Sequence, residues 1–272
     1  MLQVVRNIVD YRELLAVLAW KSVVVRYKQA YLGLSWAVLK PLVLMLMFTL
    51  VRSIVGIESG DIPYPILTFA ALVPWIFFQE STSDGVNSVV GHTNLIRKIY
   101  FPREIFPLTS VITKLVEFAV SGLILSGLMI YYGFSLTLQA LWLPLIIFYT
   151  IMVSLCITFA GAAMNVYYRD VSALIPVALS LVMYASPIIY PLALVQDKLF
   201  IDEAAGRWSD LLYTLYSLNP MVGVIDAFQR ALLRGLAPDF ATIFPGMALT
   251  ALVLPLSYAY FKRAEAYFAD VI

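Results

Sequence analysis

The chain has 272 residues, of which 62% are hydrophobic and 13% are charged, and its formal net charge at pH 7 is +1. Soluble domains carry roughly 25% charged residues, so this composition, with a mean hydropathy of +0.88, indicates a membrane protein. The near-zero charge argues against a nucleic-acid-binding protein, and a single cysteine and a single histidine (Cys156 and His92) argue against a disulfide or a Cys/His metal site.

The N-terminal segment, residues 1–31, is too charged for a secretory signal. Its charged residues include Arg6, Asp10, Arg12, Glu13, Lys21, Arg26 and Lys28. We predict a helix over Tyr11–Lys28, with Leu14, Leu18 and Val25 on one side. Two placements fit this pattern: an interfacial helix on the inner leaflet, or a plain cytoplasmic lead-in.

Six stretches are apolar enough to cross the hydrocarbon core, which takes about 20 residues of helix. They are Leu32–Val55, Ile62–Gln79, Ile105–Tyr132, Gly133–Tyr168, Val171–Gln196 and Phe240–Phe261. We therefore predict an all-α membrane protein with six transmembrane helices. Residues 1–272 form a single domain: residues 32–193 hold spans one to five, residues 194–239 an outer loop, and residues 240–272 span six and a tail.

The basic residues indicate the orientation of the chain, because cytoplasmic loops are enriched in Lys and Arg. With the N-terminus inside, 12 of the 18 Lys and Arg residues fall on the cytoplasmic side, 5 on the outer side and 1, Lys114, within a span. We therefore expect both termini to be cytoplasmic.

A short cytoplasmic element follows the second span, over Thr93–Phe101, and Pro102 ends it. It is more apolar than an ordinary solvated loop. From the residues alone, it is either a helix that rests on the headgroups or a peg that docks into a cytoplasmic partner. The residues of the peg would be Asn94, Leu95, Ile96, Arg97, Lys98, Ile99 and Tyr100.

The outer loop is too long to be a simple connection, and its sequence predicts structure. Asn219 is a suitable N-cap with Pro220 at the first helical position, and Gly235 is a suitable end. Asp226 and Arg230 are spaced as an i, i+4 ion pair. We predict two short amphipathic helices on the outer side, the second over residues 220–234 and the first around residues 208–217.

Few polar groups lie at membrane depth. Lys114 and Glu117 are three residues apart on one helix and can neutralise each other. Glu80 and Asp84 mark the inner end of span two, either as a helix extension or as a hydrophilic way into a translocation path. Five aromatic residues are candidates to line a glycan path, since sugar rings stack on aromatic faces: Trp75, Phe77, Phe78, Tyr184 and Tyr190.

No G-x-x-x-x-G-K-[ST] motif occurs, so the usual nucleotide-binding loop is missing from the sequence. The hydrolase and metalloprotease motifs G-x-S-x-G and H-E-x-x-H do not occur either. We therefore expect no catalytic residues, no metal site and no cofactor in this chain.

Four groups of residues occur in a recognisable order. They are Arg26-Tyr27-Lys28 with Leu32-Gly33, Trp36 and Pro41-Leu42; Phe101-Pro102-Arg103 with Phe106-Pro107; Asn165 to Val171 with Ser186-Pro187 and Tyr190-Pro191; and Leu218-Asn219-Pro220-Met221 with Arg230. Together they cover nearly the whole chain. In this order and spacing, the sequence resembles the type 2 ABC-transporter permeases that export O-antigen, teichoic acid and related polysaccharides.

This resemblance implies a homodimer in the bacterial inner membrane that works with two ATPase subunits, which bind ATP and Mg²⁺. It implies that Asn94–Tyr100 is a coupling helix and that the Tyr11–Lys28 helix is interfacial. The substrate would be a polyprenyl-diphosphate-linked glycan, with the outer helices as its exit gate. The end of the interfacial helix and the entry to the first span, which we call the portal, would be formed by Arg26, Tyr27, Lys28, Gly33 and Trp36. The outer gate would be formed by Asn219, Pro220, Asp226 and Arg230.

Two alternatives stay open. The same architecture could export teichoic acid, capsule, a small lipid or a drug. An integral membrane enzyme of glycolipid synthesis would instead need a cluster of polar groups within the membrane.

Overall fold

The computed structural model describes residue 7 and residues 9–28, 35–56, 61–98, 101–200 and 206–268, except for the side chains of residues 27, 200, 207 and 208. Within these ranges all regular structure is helical. The α-helices are α1 (Arg12–Lys28), α2 (Ser35–Val55), α3 (Tyr64–Gly91), α4 (Thr93–Ile96), α5 (Ile105–Tyr131), α6 (Leu143–Tyr167), α7 (Val171–Tyr184), α8 (Leu192–Phe200), α9 (Gly206–Ser217), α10 (Pro220–Gln229) and α11 (Phe240–Glu265).

Among the residues that the structure describes, four helical segments are long and apolar enough to cross a membrane: α2, α5, α11 and Leu138–Tyr167, which joins a 3₁₀ turn to α6. This confirms the prediction of an all-α, multi-pass membrane protein. Helix α7, with 14 residues, is apolar but shorter than a span.

Helix α3 is the centre of the bundle. Its 28 residues pack against α5, α6, α2, α7 and α10, and most of its side chains are buried. The N-terminal half contributes Phe69 and Trp75 to the core, whereas the C-terminal half carries Glu80 and Asp84. Because α3 is surrounded by other helices, its polar side chains can be satisfied by protein partners without facing lipid.

The predicted fifth span, Val171–Gln196, contains two helices. Helix α7 ends at Tyr184, a bent segment follows over residues 185–191, and α8 begins at Leu192. Pro187 and Pro191 lie in this segment. A proline has no backbone N–H and disfavours helical geometry in the residue before it, which accounts for the break.

Helices α9 and α10, which we call the outer helix pair, occupy the positions predicted for two short helices. Residues 221–229 of α10 are all buried, so this helix does not present the exposed polar face expected of an amphipathic helix. The Asn219 side chain accepts a hydrogen bond from the Met221 backbone N–H (3.1 Å), and Pro220 is the first residue of α10. A π-helical turn extends α10 through Arg230–Arg234, and Gly235 ends it with a φ of 62°. The cap and stop signals in this loop were therefore sufficient to predict its second helix.

Several helices present apolar side chains outwards, among them α2, α5, α7 and α11. Helix α2 exposes Leu46, Leu50 and Ile54, and α7 exposes Val177 and Leu181. In a membrane protein, faces of this kind meet lipid or another subunit.

Candidate functional site: a charge network beside a cavity

Six ionisable side chains from four helices meet where the N-terminal halves of α2 and α5 pack against the C-terminal half of α3. They are Arg26 on α1, Lys40 on α2, Glu80 and Asp84 on α3, and Lys114 and Glu117 on α5; we call them the charge network. It contains three cations and three carboxylates, so its formal charge is zero. The balance matters because an unpaired charge at this depth would be costly.

Lys114 is the most deeply placed member, with a side chain only 2% exposed. Its ammonium lies 2.5 Å from Glu80 Oε2, 2.9 Å from Glu117 Oε1 and 3.5 Å from Asp84 Oδ2. The predicted pair with Glu117 is confirmed, and the structure adds two carboxylates from α3. Lys114 therefore joins α5 to the central helix at the depth of the network.

Arg26 closes the network from the interfacial side. Its guanidinium lies 2.5 Å from Asp84 and 3.3 Å from Glu117 Oε1. This side chain and that of Asp84 are more than a third exposed, so the pair contributes little to stability by itself. Its effect is geometric, because it fixes the end of α1 against α3 and α5.

A cavity of about 490 Å³ opens beside the network. Small-molecule sites span roughly 300–1,000 Å³, so this space is large enough to hold a ligand group. Its wall combines charged and aromatic side chains. The charged ones are Arg26, Lys40, Glu80, Lys114 and Glu117, and the aromatic ones are Trp36, Phe77 and Phe118.

This cavity brings together three residues for which the sequence predicts two separate roles. Arg26 and Trp36 were placed in the portal and Phe77 in the glycan path, and all three line it. Lys28 ends α1 with an exposed side chain. Gly33 lies outside the described residues, and of Tyr27 only the backbone is described. Lys40, Glu80 and Phe118 also line the cavity, and no local motif in the sequence links them.

The other aromatic candidates are divided between the core and the outer side. Trp75 is fully buried and packs edge-to-face on Phe78, with ring centroids 5.5 Å apart. Tyr190 donates a hydrogen bond to the Tyr184 carbonyl (3.2 Å) and lies 3.5 Å from the Tyr216 hydroxyl on α9. None of these four residues lines the cavity beside the charge network.

Helix α1 has two apolar faces. Leu15 and Leu18 are buried and α1 packs against α5, whereas Val17 and Trp20 are 63% and 71% exposed. Val25, predicted to share the face of Leu18, is exposed instead. An outward apolar stripe on a helix with charged ends is the pattern of a segment that lies in the membrane interface.

The predicted coupling helix is shorter in the structure than the segment Asn94–Tyr100. Helix α4 covers Thr93–Ile96, and turns follow at Arg97 and Lys98; Ile99 and Tyr100 lie outside the described residues. Ile96 is buried and anchors the segment, whereas Asn94, Arg97 and Lys98 are exposed and Leu95 is half-buried. The pattern of one anchor and several exposed residues leaves a polar surface at this end of the molecule. We keep the name coupling segment for residues 94–100.

The residues predicted to form a gate lie on and beside α10. The Asn219 side chain caps α10 and donates a hydrogen bond to the Ser186 hydroxyl (2.9 Å), so it joins α10 to the bend after α7. Asp226 is buried, and its Oδ2 lies 4.0 Å from the Arg230 guanidinium. Burial raises the pKa of Asp226 to about 6, against the opposing effect of Arg230 and Arg234.

A helical bundle with several long apolar helices is the architecture of a multi-pass membrane protein. Residues 13–233 match the family described as ABC-2 type transporter, and the chain belongs to this family.

Curated relatives extend over the same length. The chain is 29% identical over 273 residues, covering all of both proteins, to the O-antigen export system permease protein RfbA of Myxococcus xanthus. It is 24% identical over 265 residues to a protein of the same name from Klebsiella pneumoniae, covering 96% of this chain and 95% of the relative.

Proposed function

We propose that this protein is the membrane-spanning subunit of an ATP-driven exporter that moves a polyprenyl-diphosphate-linked, O-antigen-like polysaccharide across the bacterial inner membrane. The observation that carries the proposal is the full-length similarity to two permeases named for O-antigen export. Similarity over the whole chain includes the portal and the outer helix pair, not only a shared core.

The proposed topology has six spans with both termini in the cytoplasm. Contacts within the bundle support it: the Asn7 side chain donates a hydrogen bond to Glu104 (2.8 Å), and Lys262 lies 2.9 Å from the same carboxylate. Residues close to the two ends of the chain therefore lie at the same end of the bundle. An even number of spans gives this arrangement, and the excess of basic residues assigns that end to the cytoplasm.

The cavity beside the charge network suits the diphosphate and the first sugars of such a substrate. Arg26 and Lys40 are partly exposed cations, with side-chain exposures of 38% and 43%, and each can exchange a carboxylate partner for a phosphate oxygen. Trp36 and Phe77 offer ring faces for the apolar side of a sugar. The buried Lys114 keeps its contacts with Glu80 and Glu117 while Arg26 and Lys40 change partners.

The chain works as a homodimer with two copies of an ATPase subunit, which bind ATP and Mg²⁺ and supply the free energy. The membrane-spanning subunit has no ATP site of its own and is not an enzyme. The coupling segment and the interfacial helix α1 form the docking surface for the ATPase. Rigid-body movement of the docked segment then carries ATP-driven motion into the bundle.

The deciding experiment is affinity purification of the full chain from its native membranes in mild detergent, followed by identification of the co-purifying proteins and an ATPase assay. We expect an ABC ATPase in a 1:1 ratio with the chain and a particle that contains two copies of each. A chain recovered alone, or with enzymatic activity and no ATPase, would refute the proposal and favour a membrane enzyme of glycolipid synthesis.

A further inference from the structure

A second polar cluster, outside the charge network, surrounds Glu104. This carboxylate is fully buried, and three donors satisfy it. Asn7 donates to Oε1 (2.8 Å), while the Tyr258 hydroxyl donates to Oε2 (3.1 Å) and the Lys262 ammonium lies 2.9 Å from the same oxygen. A buried carboxylate with a complete set of partners firmly joins the helices that supply those partners. Losing any one partner would leave a buried charge or a hydrogen-bond donor unpaired.

The same helix end has a second attachment to the turn before α5. The Arg103 backbone N–H donates a hydrogen bond to Glu265 Oε1 (2.8 Å), and the Arg103 guanidinium donates to the Glu265 carbonyl. Lys262 also pairs with Glu265 within the last turn of α11. Residues 103 and 104 are thus bound to the inner end of α11 by backbone and side-chain contacts.

This attachment lies directly after the coupling segment. Phe101 is buried and packs edge-to-face on Phe106 (5.3 Å between centroids), and His92 stacks on Phe106 from the other end of the segment (4.7 Å). Both ends of the segment are therefore seated on the first turn of α5, beside Glu104. Displacement of the coupling segment must act on this turn and on whatever is bound to it.

At the other end, α11 is in very close contact with the outer helix pair. A Cβ added at Gly223 of α10 would lie 2.9 Å from the Ile243 Cα, and one added at Gly246 would lie 2.8 Å from the Pro220 Cα. The Thr242 hydroxyl lies 2.8 Å from the Tyr213 hydroxyl of α9. With backbones this close, α10 cannot slide or separate from α11 without losing the contact outright.

We propose that Glu104 is a positioning residue that makes α11 a lever between the coupling segment and the outer helix pair. This inference rests on the proposed function, since it assumes that an ATPase moves the segment. Helix α11 has 26 residues and is about 39 Å long, enough to join both sides of the membrane. Pro245 and Pro255 interrupt its hydrogen-bond ladder, but α6 packs alongside it, with Phe159 against Tyr258 and Phe261.

The test follows the outer helix pair while the ATPase turns over. The single native cysteine is replaced (Cys156→Ala), and Asp210→Cys places a reporter thiol at an exposed site of α9. The labelling rate with a membrane-impermeant maleimide is measured for the complex with its co-purified ATPase, with and without Mg-ATP. In the parent the two rates differ. In Lys262→Met and in Glu104→Gln we expect the ratio of the labelling rates with and without Mg-ATP to approach about 1, with ATP hydrolysis retained. The reason is that the coupling segment and the outer helix pair are no longer coupled through α11.

Matched variants separate coupling from folding. Arg263→Met removes an exposed cation next to Lys262 and should keep the parent ratio, as should Lys262→Arg, which retains the charge. If Glu104→Gln does not assemble, Lys262→Met and Tyr258→Phe decide the matter. An ATP-insensitive parent, or an unchanged ratio in Lys262→Met and Tyr258→Phe within an active complex, overturns the lever proposal alone. Failure to recover any ATPase overturns the proposed function.

Discussion

Lys40 and Lys114 bind opposite oxygens of the same carboxylate, that of Glu80, each at 2.5 Å. One lysine comes from α2 and the other from α5, so a single side chain of the central helix holds both neighbours. The two lysines differ in exposure, at 43% and 2%. This difference makes the pair a natural comparison between a surface and a buried charge.

Replacing Lys114 with methionine should destabilise the protein strongly. The substitution leaves Glu80 and Glu117 without their buried cation, and breaking a buried pair costs about 3–5 kcal/mol. The same substitution at Lys40 should cost about 0–1 kcal/mol, since that side chain is partly exposed. Thermal unfolding in detergent measures both. The double variant Glu80→Gln/Lys114→Met should recover part of the loss, and equal Tm values for the two single variants would contradict a buried role for Lys114.

Substituting Gly246 with alanine should separate α10 from α11. The new methyl group would lie 2.8 Å from the Pro220 Cα, which belongs to the backbone and cannot rotate away. We expect a loss of about 1–3 kcal/mol, as in other overpacked sites. Gly122→Ala on α5 is the control, because a Cβ there meets nothing within 4 Å and should stabilise the helix by about 0.5–1 kcal/mol. A similar Tm for both variants would show that the close contact does not constrain the helices.

Reversing the charge of Arg97 should uncouple ATP hydrolysis from export. Arg97 is exposed on the coupling segment, where a negative charge would oppose docking of the ATPase. We expect export per ATP hydrolysed to fall about tenfold, with the fold intact. Lys198→Glu, an equivalent reversal on the exposed face of α8, is the control. Normal export by Arg97→Glu would remove the coupling role from this segment.

The outer helix pair should become more stable as the pH falls below 6. The pKa of Asp226 is raised to about 6 in the folded protein. Between a pH of about 4 and a pH of about 6, the folded protein therefore keeps a proton on this carboxyl group, whereas the unfolded chain has released it. Stability therefore falls as the pH rises through this window, by up to about 3 kcal/mol. The Tm of the parent, measured from pH 4.5 to 7.5, should fall more with rising pH than the Tm of Asp226→Asn measured over the same range. If both proteins had the same profile, Asp226 would not be the group responsible.

Local chemistry was enough to predict part of this structure. The caps at Asn219 and Gly235 and the pair Lys114–Glu117 depend on spacing within one helix, and all three are confirmed. The break after Tyr184 follows from Pro187 and Pro191, whose effect was masked by the continuous apolar run around them. Hydropathy alone does not distinguish one long helix from two short ones.

The charge network could not be predicted in the same way. Apart from the pair Lys114–Glu117, its contacts join residues 30 to 91 positions apart, so they depend on how the helices pack and not on any local pattern. The same limit applies to Phe77 and Trp75, two positions apart on α3: only Phe77 reaches the cavity. An almost uniformly apolar helix gives no sequence signal for the face that each aromatic residue occupies.

The balance of three cations and three carboxylates also bears on how the chain enters the membrane during synthesis. Helix α3 carries Glu80 and Asp84, and Lys114 is made 34 residues after Glu80. Until Lys114 has been made, Lys40 on the preceding helix is the one of the two lysine partners of Glu80 that is present to neutralise it. We therefore expect the insertion of α3 to be stabilised by its neighbours, first by α2 through Lys40 and then by α5 through Lys114.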